Sequence, residues 1–204
     1  MKKLRTAIPT REPPYISAGF SYGDLLMRQY ASLYPEEAAG LVLVDSVHEN
    51  RYAADADSGR KRDMRRTRAL YRTGYWMTPL GIPQLLRRHV GSRRLPGELQ
   101  AVVAAWGRRS GAYRAGYLEW LGAPVTAPQV RQGKRLRADL PVTVPTAGRQ
   151  DRRWLDPQNE LLKLTDRTEQ MIVEDSWPSI PISKPEAVAE AVREMIIRGS
   201  RGNR

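Results

Sequence analysis

The chain opens its ordered pattern with two apolar runs separated by a helical one. Residues 15–18 (Tyr-Ile-Ser-Ala) predict a short buried strand. Residues 23–34 follow a helical period, with Leu26, Tyr30 and Leu33 at i, i+4 and i+7 making one apolar face. Pro35 ends that helix. Residues 41–44 read Leu-Val-Leu-Val without a polar break, the pattern of a strand buried on both faces of a parallel sheet. Strand, helix and strand at this spacing predict a βαβ unit.

The pattern then changes. Residues 51–137 carry no clean strand signal. Helical patches there are separated by Pro79, Gly81, Pro83, Pro96, Gly97, Gly122, Pro124 and Pro128. Tyr71, Tyr75, Trp76, Trp106, Tyr113, Tyr117 and Trp120 cluster in the same stretch, as core or as the lining of an apolar pocket. This predicts an inserted helical lobe. Strand patterning returns at residues 140–148, followed by a predicted helix over 157–164 and a short strand over 170–173. Ser183 and Glu186 have capping-box spacing. The helix after them places Val188, Val192, Met195 and Ile196 on one side, and residues 199–204 read as a frayed basic tail.

Composition narrows the chemistry. The 204 residues include no cysteine and two histidines, His48 and His89, which excludes disulfides and thiolate chemistry. The sequence calls for no cofactor and no metal. Asp55 and Asp57 begin a calcium-like loop, but Arg66 stands where its closing glutamate belongs. The net charge is +12. Its densest run, over residues 60–72, reads as the solvated face of a helix whose inner side is Met64, Thr67 and Tyr71. No nucleic-acid-binding motif accompanies it, so no specific nucleic-acid partner is expected. No apolar run reaches membrane-spanning length, and Pro9, Arg11 and Glu12 interrupt any leader-like N-terminus. The expected location is the cytoplasm.

One motif carries chemistry. Gly19-Phe20-Ser21-Tyr22-Gly23 lies between the first predicted strand and the helix. A Gly-x-Ser-x-Gly turn in that setting lifts a serine hydroxyl above the C-terminal edge of a parallel sheet. Small residues are expected at both Gly19 and Gly23, because the bend is sharp.

With these residues the chain resembles the α/β-hydrolase family, in its capped esterase-like and aminopeptidase-like members. The resemblance covers residues 4–50 and 140–197: the elbow at Gly19–Gly23, the run from Tyr34 to Ser46, the strand and turn at 141–151, and the strand, loop and helix at 172–188. It implies an α/β fold: part of a parallel hydrolase sheet flanked by helices, with core segments 1–50 and 138–204 and a cap over 51–137. It also implies that Ser21 is the nucleophile, the Tyr22 backbone N–H one oxyanion donor and Asp151 the acid that orients the base.

The resemblance breaks at two places. Pro178 occupies the position of the catalytic histidine, and no histidine follows His89. The strands and oxyanion loop that precede the elbow in family members are missing from this sequence, so a truncated chain is expected. His48, at the end of the strand beside the elbow strand, is the candidate substitute base, with Asp45 or Glu49 to orient it. Proline accepts no proton, and an unactivated serine is a poor nucleophile near neutral pH. The expected function is therefore acyl transfer from an ester or amide, weak or lost. The alternatives are a non-catalytic protein binding a small apolar ligand or a protein partner, and a truncated gene product. Residues 15–18 would form an exposed strand edge through which copies self-associate.

Overall fold

The uninterrupted apolar run at residues 41–44 lies in the interior of the sheet, as its pattern predicts. In the computed structural model, which describes residues 12–46, 48–52, 58–92, 94–150 and 158–201, four strands run parallel. They are β1 (Tyr15–Phe20), β2 (Ala38–Val44), β3 (Val142–Ala147) and β4 (Thr168–Val173), ordered β1-β2-β3-β4. Helix α1 (Tyr22–Leu33) crosses from β1 to β2. Helices α2 (Ser58–Met77), α3 (Ile82–Leu85), α4 (Gly97–Gly107) and α5 (Ser110–Gln132) lie between β2 and β3. After β4 come a short helix, α6 (Ile180–Ser183), and the last helix, α7 (Pro185–Arg201).

The period-2 alternation of β2 divides the core. Leu41 and Leu43 pack with Ala31 of α1, Leu140, Val142, Val144 and Leu161. Val42 and Val44 pack on the opposite face with Ala147, Ile180, Ala191 and Met195. Both faces of the sheet centre are thus covered, as parallel strands require.

Several expectations need correction. β1 is half-exposed rather than buried, and Phe20 is 44% exposed. It is the edge strand among the described residues. In α1 the buried set is Asp24, Leu25, Arg28, Tyr30, Ala31 and Ser32, while Leu33 faces solvent. The apolar count missed this face because half of it is polar. In the helix expected at 157–164, residue 157 lies outside the described residues, Gln158 and Asn159 are α-helical, and the end tightens to a 3₁₀ turn at Glu160–Lys163. Ser183 does not cap the last helix: its hydroxyl donates to Ser179 O at 3.2 Å, inside α6. Pro185 takes the first helical position instead, where its missing N–H costs nothing. Ile196 is exposed, whereas Ala191 and Met195 form the buried stripe. That helix extends to Arg201 instead of fraying from residue 199.

α5 is the clearest override of local propensity. It runs unbroken through Gly122, Pro124 and Pro128. The prolines are four apart, so the two lost amides fall on one stripe of the helix. Ala123 and Ala127 are buried, and this packing holds the helix together. On α2, by contrast, Met64, Thr67 and Tyr71 form the half-buried side, while the arginines at 62, 65, 66, 68 and 72 face water, as the charge pattern predicts. No helix is long and apolar enough to cross a membrane among the described residues.

Leu43→Ala should lower the unfolding free energy by about 2–5 kcal/mol, because it opens a cavity in the sheet centre. Ile196→Ala should change it by no more than about 0.5 kcal/mol. Urea denaturation measures both, and equal effects would contradict this division of the core.

Candidate active site

Strand pairing brings the site together. β1 and β2 align with Gly19 opposite Leu43 and Phe20 opposite Val44. Ser21 and Asp45 therefore leave neighbouring strands side by side at their C-terminal ends. The Ser21 amide donates to Val44 O at 3.0 Å, and the Ser21 carbonyl accepts from the Asp24 amide at 3.2 Å. Between these two bonds the backbone turns from strand into helix. Ser21 adopts φ 51° and ψ −116°, a conformation that costs a non-glycine residue about 1–3 kcal/mol. The surrounding hydrogen bonds hold it there.

Gly19 is required by space. A Cβ on Gly19 would stand 2.7 Å from the Asp24 nitrogen and 2.8 Å from its Cα. Gly23 is different, since beyond its chain neighbours and its own helix backbone no described atom lies within 4 Å of where its Cβ would be. The expectation of a steric need at both glycines holds only at Gly19.

Ser21 is half-exposed and makes no capping bond to α1. The Tyr22 N–H heads that helix, where amides lack intrahelical acceptors and the helix dipole favours negative charge. An anionic oxygen near Ser21 Oγ would meet that amide. The Tyr22 side chain points into the lobe and shares a 2.9 Å hydrogen bond with Thr126 Oγ1 of α5. Asp151 lies outside the described residues.

His48 is not hydrogen-bonded to Ser21. Its Nδ1 accepts from the Asn50 amide at 3.1 Å and lies 3.6 Å from Glu49 Oε2. Glu49 in turn holds Arg28 in a two-pronged ion pair at 2.8 and 3.1 Å. Arg28 sits seven residues beyond Ser21, about two helical turns away. Burial pushes the His48 pKa down, against the opposing pull of Glu49. Burial raises Glu49, but the Arg28 guanidinium outweighs it, so that carboxyl lies below the usual range. His89 is half-buried in the segment after α3.

Asp45 does not orient His48. It is 2% exposed, with a left-handed φ of 45°. Its Oδ1 accepts from the Ala147 amide at 3.2 Å and from Gln150 Nε2, and its Oδ2 accepts from the Ser179 amide at 3.1 Å. Burial raises the Asp45 pKa, and these donors oppose the rise. Asp45 thus ties the end of β2 to the segment containing Pro178, where the resemblance places the base. Pro178 is exposed, and Ser179 beside it has φ 105°. Trp177 lies under the Arg94 guanidinium, 4.1 Å from ring centre to Cζ, which joins this segment to the lobe.

Asp24 escaped the sequence reading altogether. It is fully buried, three residues past Ser21. The Ser46 hydroxyl lies beside its carboxylate without a hydrogen bond of ordinary geometry. Burial pushes the Asp24 pKa up to about 7, against the attraction of Arg28. The available signal was an acidic residue on the core side of α1, one helical turn before Arg28. Among the described residues no cluster of acidic and histidine side chains is placed to hold a metal.

No protein-family model and no curated protein matches the chain. Solved structures do. One is a thermophilic esterase from Thermogutta terrifontis, at TM-score 0.58 and 17% identity, covering 92% of this chain and 66% of that one. A second comes from work on carboxylesterases of Nitrososphaera gargenis, at TM-score 0.58 and 12% identity, covering 92% and 66%. A third is 2-hydroxy-6-oxo-6-phenylhexa-2,4-dienoate hydrolase from Rhodococcus sp. strain RHA1, at TM-score 0.55 and 18% identity, covering 88% and 62%. The chain spans slightly less than two thirds of the length of each of these structures. Its four parallel strands and flanking helices form part of the α/β-hydrolase fold.

The raised Asp24 pKa makes a signed prediction. The folded state holds this proton more tightly than the unfolded chain, whose value is 3.8. Stability from this group is full below pH 3.8 and is lost as pH rises through about 7. Asp24→Asn should therefore stabilise the protein at pH 8, by on the order of 4 kcal/mol at most, with a much smaller effect at pH 4. Denaturant titrations at the two pH values test this; a larger gain at pH 4 than at pH 8 would contradict it.

Proposed function

We propose that this chain carries the acyl-transfer site of a serine hydrolase in attenuated form. Ser21 is the nucleophile, the Tyr22 N–H stabilises the oxyanion, and Asp151 stands in the acid's place. The substrate class is a small ester or amide with an apolar acyl group. The reading rests on one observation above all: Ser21 at φ 51° and ψ −116°, held between Val44 O and the Asp24 amide at the C-terminal edge of parallel strands. A backbone strained at this point has its natural explanation in presenting the hydroxyl.

Attenuation follows from the missing base. The position expected for histidine is proline, and His48 is engaged by the Asn50 amide. Loss of a triad member lowers turnover by about 10⁴-fold. Without turnover the chain would instead bind a small apolar ligand or a protein partner, which is the second reading. The helical segment 51–137 would act as its cap, with Tyr52 packed edge-on against Trp120 at 6.5 Å.

Hydrolysis of a short-chain p-nitrophenyl ester by wild type, Ser21→Ala and Pro178→His tests the proposal. Wild type should turn over slowly, and Ser21→Ala should reduce it to background. Pro178→His should gain on the order of 10²-fold, since a positioned general base contributes that much and the Asp45 carboxylate already holds the neighbouring amide. Turnover unaffected by Ser21→Ala would overturn the assignment. Saturable binding of the ester without turnover in wild type would favour the second reading.

A further inference from the structure

A cavity of about 450 Å³ lies away from Ser21 at the other end of α1. Its walls come from α1, the C-terminal end of α5, the segment after it and the 3₁₀ turn before β4. Arg28, Arg131, Lys134, Arg135 and Lys163 line it, against two carboxylates, Glu49 and Asp166. Arg28 is paired with Glu49, and Lys163 with Glu160. Arg131, Lys134 and Arg135 have no carboxylate partner among the described residues. Three cations thus face one cleft without an ion-pair partner, and of the two carboxylates there Glu49 is taken up by Arg28, which leaves the lining net positive.

The Arg131, Lys134 and Arg135 side chains are exposed, while the backbone around them is held in place. Ser32 of α1 donates its hydroxyl to Lys134 O at 2.6 Å. Gly133 lets the segment after α5, a strap over residues 133–138, approach that closely, since a Cβ there would stand 3.1 Å from Ser32 Oγ and from Gln129 O. The wall includes two residues with buried polar atoms that lack protein partners, Arg28 through Nε and Gln29 through Oε1. Only the Arg28 Nε donor has the polarity to suit an anion, since Gln29 Oε1 is an acceptor.

We propose that this cleft binds a small phosphorylated molecule with two adjacent anionic groups, of the diphosphate class. Guanidinium forks match phosphoryl oxygens in pairs, which favours arginine at such sites. The volume falls within the range of small-molecule sites, about 300–1,000 Å³. The enclosing walls, with α1 on one side and the strap on the other, fit a small molecule rather than an extended nucleic-acid backbone. Arg28 and Glu49 connect the cleft to His48 and to the helix that begins at Ser21.

Isothermal titration of the full chain with inorganic pyrophosphate at about 0.15 M salt, where exposed charges are largely screened, tests the proposal. The expected result is saturable one-to-one binding, weakened at least tenfold in the Arg131→Gln/Arg135→Gln variant and separately in Lys134→Gln. A control variant, Arg62→Gln/Arg66→Gln, removes equal charge from the exposed face of α2 and should bind as wild type does. Circular dichroism of each variant confirms folding, and Lys134→Gln alone carries the test if the double variant does not fold. No saturable binding would overturn the proposal. Equal weakening in the control would show charge attraction alone, and citrate binding as tightly as pyrophosphate would overturn the phosphoryl assignment.

Discussion

The pairing of β1 with β2 is the constraint on which the site depends. Once Phe20 is set opposite Val44, the two chains leave the sheet next to each other and must turn at once. On β1 that turn is closed by the Ser21 amide on Val44 O and by Gly19 fitting against the Asp24 backbone. On β2 it is closed by Asp45, whose carboxylate gathers amides from β3 and from the segment after β4. A side chain larger than hydrogen at Gly19 would push α1 away, and the serine would lose its bend. The strain at Ser21 is balanced by packing elsewhere, chiefly the leucine and valine layers on the two faces of β2.

The elbow helix is anchored by a polar seam alongside the apolar contacts of Leu25, Tyr30 and Ala31. Asp24, Arg28 and Ser32 are all buried on its inner side, and each has a different neighbour. Asp24 faces Ser46 and lacks a good partner. Arg28 is satisfied on two nitrogens by Glu49. Ser32 fastens the strap after α5. Burying such groups costs free energy unless they are hydrogen-bonded. The seam therefore links the serine end of α1, through charge, to the basic cleft at its other end.

Much of the fold was legible in the sequence. The continuous run Leu41–Val44 and the glycine-flanked Ser21 fixed strand, turn and helix in order. The return of strand patterning near Val142 gave the far side of the sheet. What the sequence hid has physical causes. The buried face of α1 is half polar, so an apolar count chose Leu33, which is exposed. Proline usually ends helices, yet α5 passes through Pro124 and Pro128 because Ala123 and Ala127 are packed on their inner side. The capping-box spacing at Ser183 lost to Pro185, which starts the helix without it. For the candidate site, residue spacing predicted the strand-to-helix turn at Ser21, but Asp45 as a clamp emerges only from contacts more than 100 residues apart in the chain.

Under the proposed function, Ser21 is presented for reaction with no imidazole to activate it. The most direct measurement is the pH dependence of its labelling by a fluorophosphonate, followed by intact mass and peptide mapping. A single adduct on Ser21 is expected, forming at a rate that rises in proportion to hydroxide between about pH 6 and pH 9 with no imidazole plateau, because His48 is engaged by the Asn50 amide and no histidine is hydrogen-bonded to the serine. A rate that levels off with an apparent pKa near that of imidazole would contradict it, as would an adduct on any other residue.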